Sequence, residues 1–126
     1  MKFGIIGTNW ITDRFIEAAK MHPEFVVSAV YSRTEKKGKE FADKYDVKNI
    51  YTNMEEMFRS GDIEAVYIAT PNFLHAKQSI LAMENGIHVL CEKPAVTSVS
   101  EIEAVIKTSE QYQVTYMEAF SITPFL

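Results

Sequence analysis

Glu92, Lys93 and Pro94 stand directly behind an apolar run at residues 87–91, and they are the most unusual stretch of this sequence. Two opposite charges behind a buried run are tolerated where they are paired or used, since charged side chains are almost never buried alone. Pro94 fixes the backbone beside them. A lysine held in a cleft can hydrogen-bond a hydroxyl, donate or accept a proton, or orient a polar ring. Ser32 and Arg33 follow another apolar run, and a hydroxyl beside a guanidinium suits a phosphate group. Thr70, Pro71 and Asn72 follow a third run, with His75 one helical turn later, and Glu118 follows a fourth. The N-terminal run ends in Gly7-Thr8-Asn9-Trp10, where a glycine ahead of a helix offers backbone N–H groups to an anion.

These polar stretches need elements to bring them together. Apolar runs of strand length alternate with segments of helical period along the whole chain, which is the mark of βαβ units. Strands are expected at residues 3–6, 25–31, 49–51, 65–69, 87–91 and 114–117. Their residues are apolar in succession, as in a parallel sheet covered by helices on both faces. The first helix carries Ile11, Phe15, Ile16 and Ala19 on one face and is closed by His22-Pro23. The second carries Gly38, Phe41, Ala42 and Tyr45 against a solvated Lys/Glu face. Thr52 with Glu55 forms a capping box for a short helix that Gly61 ends. Asn72 caps the next helix, with Ala76, Ile80 and Met83 inward and Gly86 after it. Ser98 with Glu101 caps the last, ahead of Ile102, Val105 and Ile106. The expected fold is α/β, a doubly wound parallel sheet of Rossmann type in a single domain. In such a sheet ligands bind beyond the carboxyl ends of the strands, where the polar stretches lie.

The turn at Gly7 is compatible with a dinucleotide-binding fingerprint, although Asn9 stands where the second glycine belongs and Thr12 replaces the third small residue. Asparagine tolerates positive φ, but its side chain crowds or bonds a phosphate. Thr12 is small enough to let the helix approach the strand. An ordinary βα turn with no ligand stays open on this stretch alone. At the end of the second strand an NAD site places Asp or Glu against the ribose 2′-OH; here Ser32 and Arg33 occupy that position. A hydroxyl and a guanidinium, with Lys36 and Lys37 adding positive potential, favour NADP(H), while NAD(H) stays open. A charge-assisted contact from Arg33 is worth roughly 1.5 to 3 kcal/mol, on the order of ten- to a hundredfold in preference. Thr70-Pro71-Asn72 is equally satisfied by a turn and a helix cap, and His75 reads as an exposed or capping histidine. His22 and His88 read as structural, and no spacing suggests a metal site. Cys91 reads as a small buried hydrophobe.

With 126 residues, 47% of them hydrophobic, the chain can bury one real core. A net charge of -4 and a pI near 5.4 argue against nucleic acid or an anionic membrane as partner. A lone cysteine makes no internal disulfide, no apolar run approaches a membrane span, and the chain opens on a strand, so the cytoplasm is the expected location.

With these residues in view, the sequence resembles the N-terminal domain of the Gfo/Idh/MocA oxidoreductases over essentially its whole length. The resemblance rests on F-G-I-I-G-T-N-W-I at the start, A-T-P-N-F-L-H in the middle, G-I-H-V-L-C-E-K-P after it and M-E-A-F near the end. It implies that Gly7, Thr8, Asn9, Trp10 and Ile11 hold the pyrophosphate. It places Ser32 and Arg33 at the adenosine ribose and 2′-phosphate, and Thr70, Asn72 and His75 at the middle of the cofactor; Lys37, by its charge, and Pro71, by its place between Thr70 and Asn72, join the candidate cofactor-binding residues. Glu92 and Lys93 would lie by the nicotinamide, with Lys93 the catalytic residue that assists proton movement. Family enzymes transfer hydride between the nicotinamide and a sugar, polyol or diol hydroxyl or carbonyl. They continue into a second α/β domain that supplies most of the substrate pocket, a catalytic histidine and the oligomer interface. Residues 1–119 are therefore expected to form the NAD(P)-binding domain, and residues 120–126 to begin the connection to an absent C-terminal domain. Such a chain is expected to bind cofactor without efficient turnover. A non-catalytic dinucleotide sensor is the alternative, and an uncovered sheet edge leaves a homo-oligomer open.

Overall fold

A computed structural model describes residues 1–7, 10–70, 72–92 and 98–119, with Trp10, Ile11, Asn72 and Ala119 described only by the element they belong to. Strands and helices alternate without exception: β1 (Lys2–Ile6), α1 (Trp10–Ala19), β2 (Val26–Tyr31), α2 (Glu35–Tyr45), β3 (Asn49–Tyr51), α3 (Met54–Arg59), β4 (Ala65–Ile68), α4 (Asn72–Glu84), β5 (His88–Glu92), α5 (Val99–Tyr112) and β6 (Tyr116–Ala119). The six strands form one sheet in the order β3-β2-β1-β4-β5-β6, with every neighbouring pair parallel. Chain order reverses between β1 and β4, and a crevice opens at such a switch point beyond the carboxyl ends of the strands.

The unbroken apolar runs have a direct cause. Successive strand residues point to opposite faces, and here both faces are covered. Ile5, Val30 and Tyr67 pack with Ile16 of α1 and with Phe41 and Ala42 of α2. Their strand neighbours Ile6, Val66 and Ile68 pack on the other face with Met57 of α3, Met83 of α4 and Val105 of α5. β1 and β4 lie deepest, and Ile5, Ile6, Val66, Tyr67 and Ile68 have no exposed surface.

The helix ends show where local signals shift. α1 stops at Ala19, three residues before the expected His22, and the chain tightens through Met21 N–H to Ala18 O and His22 N–H to Ala19 O. α3 is capped by Asn53 and not by Thr52: at φ -121° and ψ 119° the Asn53 side chain accepts from the Glu56 N–H at 3.0 Å. Ser98 caps α5 as expected, accepting from Glu101 N–H at 3.2 Å. Asn72, expected as the cap before α4, is itself that helix's first residue. Gln113 adopts φ 53° and draws the Val114 N–H back to Ser109 O, so residues 113–115 turn the chain out of α5 and β6 begins two residues later than expected. Glu118 consequently lies inside β6 and is exposed. Among the apolar residues of α5, Val105 is buried while Ile102 and Ile106 face outward.

Candidate functional site

Gly7 closes β1 in a conformation and a space that only glycine fits. Its φ is 98°, and a Cβ there would stand 2.5 Å from Ala69 O and 2.7 Å from Ala69 C. The missing side chain lets the β1 turn lie on the carboxyl end of β4, where the Ala69 N–H also bonds Ile6 O at 2.8 Å. Buried Thr12 donates its hydroxyl to Gly7 O at 2.5 Å, so α1 is tied to the turn by the small residue expected to allow its approach. Thr8 and Asn9 lie outside the described residues, and Trp10 and Ile11 are the first two residues of α1.

Ser32 is buried behind β2, with its N–H bonded to Tyr51 O at 2.9 Å. α2 reaches it because position 38 is glycine: a Cβ there would meet Ile50 Cγ2 at 2.6 Å and Ser32 Cβ at 3.2 Å. Thr34 caps this helix, its hydroxyl accepting from the Lys37 N–H at 3.3 Å. The positive end of the α2 dipole therefore lies beside Arg33, Lys36 and Lys37. A cavity of about 190 Å³ opens here, lined by Ile6 of β1 and Gly7 after it, Tyr31 of β2 with Ser32 and Arg33 after it, Lys37 of α2 and Thr70 beyond β4. It brings together Gly7, Ser32, Arg33, Lys37 and Thr70, and among the described residues none that lines it is acidic. A larger hollow of about 460 Å³ lies beside α3, away from the switch point, and its lining includes Glu55 and Glu56, which repel phosphate.

Behind β4 the turn is held from below. Thr70 donates its hydroxyl to Gln78 Oε1 at 2.6 Å, and His75 Nε2 donates to Thr70 O at 2.5 Å, which places the proton on that nitrogen. His75 is only 1% exposed, so it is neither the exposed nor the capping histidine that its position suggested; the α4 turn folds it beneath Thr70. Gln78 was not anticipated. Its one signal is a polar side chain on the inward face of a helix that also carries Ala76 and Met83. Pro71 lies outside the described residues.

At the tip of β5 the structure corrects the sequence reading. Glu92 is not behind the strand; it is the strand's last residue, 8% exposed. Its partner comes from the neighbouring strand: the fully buried Tyr67 of β4 donates its hydroxyl to Glu92 Oε2. The Tyr67 ring in turn stacks on Phe15 of α1, with centroids 4.0 Å apart and planes 4° from parallel. Burial, then the adjacent carboxylate, holds the Tyr67 hydroxyl protonated far above the ordinary tyrosine range. Lys93 lies outside the described residues. Cys91 is fully buried, and burial pushes its thiol up to about 12, an inert small hydrophobe as its setting suggested. Among the described residues no group of three or more His, Cys, Asp or Glu is placed to hold a metal ion, and no helix is long and apolar enough to cross a membrane.

Strand order, parallel pairing and a crevice at the switch point define a Rossmann-type α/β domain. Residues 1–120 match the model of an oxidoreductase family with an NAD-binding Rossmann fold, GFO_IDH_MocA, and the chain belongs to that family. It is 45% identical over 98% of its length to scyllo-inositol 2-dehydrogenase (NADP(+)) of Bacillus subtilis, and covers 38% of that protein. It is 38% identical over 95% of its length to D-xylose 1-dehydrogenase (NADP(+)) 2 of Haloferax volcanii, covering 37% of it. Among solved structures it superposes with a TM-score of 0.88 on a 3-ketoreductase from Actinomadura kijaniata in complex with TDP-benzene and NADP. That match is 28% identical and covers 95% of this chain and 38% of the other. The chain thus spans little more than a third of the length of the relatives it matches.

Proposed function

We propose that the chain binds NADP(H) in the switch-point crevice and forms the cofactor half of a dehydrogenase. Its substrate would be a sugar, polyol or diol hydroxyl, or the corresponding carbonyl. One observation carries the cofactor choice: the cavity beyond β1 and β2 is lined by Ser32, Arg33 and Lys37 and, among the described residues, by no acidic side chain. A carboxylate there would accept from a ribose 2′-OH and repel a 2′-phosphate; a hydroxyl and two cations do the reverse. The bare backbone at Gly7, which a Cβ would obstruct, fits the close approach of a pyrophosphate. The NADP(+) in the names of the relatives from Bacillus subtilis and Haloferax volcanii supports the same choice, with NAD(H) the weaker ligand.

In this reading Ser32, Arg33 and Lys37 hold the 2′-phosphate. Gly7, Thr8, Asn9, Trp10 and Ile11 hold the pyrophosphate at the head of α1. Thr70, Pro71 and Asn72 line the middle, with His75 acting through the Thr70 carbonyl that it holds. Glu92 and Lys93 stand at the nicotinamide end. The bound nicotinamide supplies or takes the hydride. Lys93, next in the chain after Glu92, takes the proton from the substrate hydroxyl during oxidation or returns it to the oxygen during reduction. The 126 residues alone bind the cofactor and turn substrate over poorly.

Calorimetric titration with NADPH and NADH separately, on the wild-type chain and on Arg33→Ala, tests this reading. NADPH should bind more tightly than NADH, and Arg33→Ala should lose on the order of ten- to a hundredfold of its NADPH affinity from one charge-assisted contact while NADH changes less than twofold. Equal affinity for the two nucleotides in the wild type would refute the assignment of the cavity. Rapid dehydrogenase turnover by these residues alone would refute the division of labour.

A further inference from the structure

We propose that Tyr67 is a positioning residue for the nicotinamide end of the crevice, acting through the carboxylate of Glu92; this rests on the cofactor reading above. Tyr67 and Glu92 sit on adjacent parallel strands in a register that pairs Tyr67 with Leu90, so Glu92 lies two residues further toward the carboxyl end, on the same face. The tyrosine spans that step with its length, and its hydroxyl meets Glu92 Oε2 at the strand tip. The ring has no freedom to do otherwise, being fully buried and stacked flat on Phe15 of α1.

Burial and stacking would be served equally by phenylalanine. The hydroxyl is the part that packing does not explain, and its partner is a carboxylate that is 8% exposed. Lone burial of such a charge is costly, whereas a hydroxyl donor gives it a charge-assisted bond. Protonated far beyond the ordinary tyrosine range, Tyr67 remains a donor at any working pH. Without it, the Glu92 carboxylate is drawn toward solvent beyond the carboxyl end of β5, the end of the sheet on which the crevice opens. The hydroxyl therefore holds a negative charge out of the space where the nicotinamide half is read to lie, and fixes the residue from which Lys93 departs.

The test compares two ligands that share the adenosine 2′-phosphate and pyrophosphate but differ at the nicotinamide: NADPH and 2′-phospho-ADP-ribose. In the full 126-residue chain, Tyr67→Phe should weaken NADPH about tenfold and leave 2′-phospho-ADP-ribose within twofold. Glu92→Ala, which leaves no charge to misplace, should weaken NADPH less than Tyr67→Phe does, and Tyr67→Phe added to Glu92→Ala should cost NADPH nothing further, since the hydroxyl then has nothing to hold. Should Tyr67→Phe fail to fold, Glu92→Asp decides: its shorter side chain draws the carboxylate away from the Tyr67 hydroxyl while keeping the charge, and it should show the same selective loss of NADPH. Equal losses for both ligands, additive losses in the double variant, or no loss at all would overturn the proposal. A wild-type chain that binds neither ligand would overturn the cofactor reading, and this inference with it.

Discussion

Replacing Gly7 with alanine isolates the contact on which the crevice is built. Two costs act at once. The residue must keep φ at 98°, which for a side chain-bearing residue costs roughly 1 to 3 kcal/mol, and its Cβ must find room 2.5 Å from a backbone oxygen of the neighbouring strand's end. That oxygen belongs to Ala69, whose N–H is bonded to Ile6, so it cannot swing aside as a flexible side chain would. Overpacking of this kind costs roughly 1 to 3 kcal/mol more, offset by about 0.4 to 1 kcal/mol from the stiffer unfolded chain. The net is roughly 2 to 5 kcal/mol, a large part of the roughly 5 to 15 kcal/mol that holds a domain together. At about 4 °C per kcal/mol for a domain of this size, Tm should fall by roughly 8 to 20 °C. Gly86→Ala provides the control, because Gly86 has φ 77° but no atom within 4 Å of the place its new methyl would take. It meets only the conformational cost, about 1 to 2 kcal/mol after the same offset from the unfolded chain, and its Tm should fall by about 4 to 8 °C. Thermal unfolding followed by circular dichroism reads both. If the two variants lose the same Tm, the close approach of the β1 turn to the end of β4 is wrong.

Other consequences are more local. Gln78→Leu leaves the Thr70 hydroxyl without its acceptor and should cost about 1 kcal/mol in urea unfolding; Thr70→Val should cost a similar amount, and the double variant no more than the larger single loss. Additive losses would separate the two residues. Cys91 makes a pH prediction: burial raises its thiol from 9.0 to about 12 in the folded chain, so its contribution is complete below pH 9 and declines as pH rises toward 12, at up to about 1.4 kcal/mol per pH unit. Between pH 9 and 10.5 the wild type should lose more stability than Cys91→Ala, and parallel curves would refute the assignment.

The legible part of the crevice was the part made of residues next to strand ends. Ser32-Arg33, Gly7 and Thr70 could be placed at one edge because parallel strands all finish on the same side, so local apolar periodicity is enough to find their tips. The capping of α5 by Ser98 is local in the same way. Errors arose where a neighbouring residue competed, as when Asn53 displaced Thr52 as cap or the left-handed Gln113 delayed β6. The burial of His75 is not legible in the sequence, because it depends on how α4 lies against the turn it follows.

Alternating runs, glycine at the first turn, a basic second strand end and a single buried cysteine belong to the sequence itself, since each follows from the character of a few adjacent residues. Strand order belongs to the tertiary structure, and with it the meeting of Gly7 with Ala69, the closure of Arg33, Lys37 and Thr70 around one cavity, and the bond from Tyr67 to Glu92. These contacts join residues that are distant along the chain. Their partners are set by which strands are neighbours and in what register, and no local pattern of polar and apolar residues contains that information.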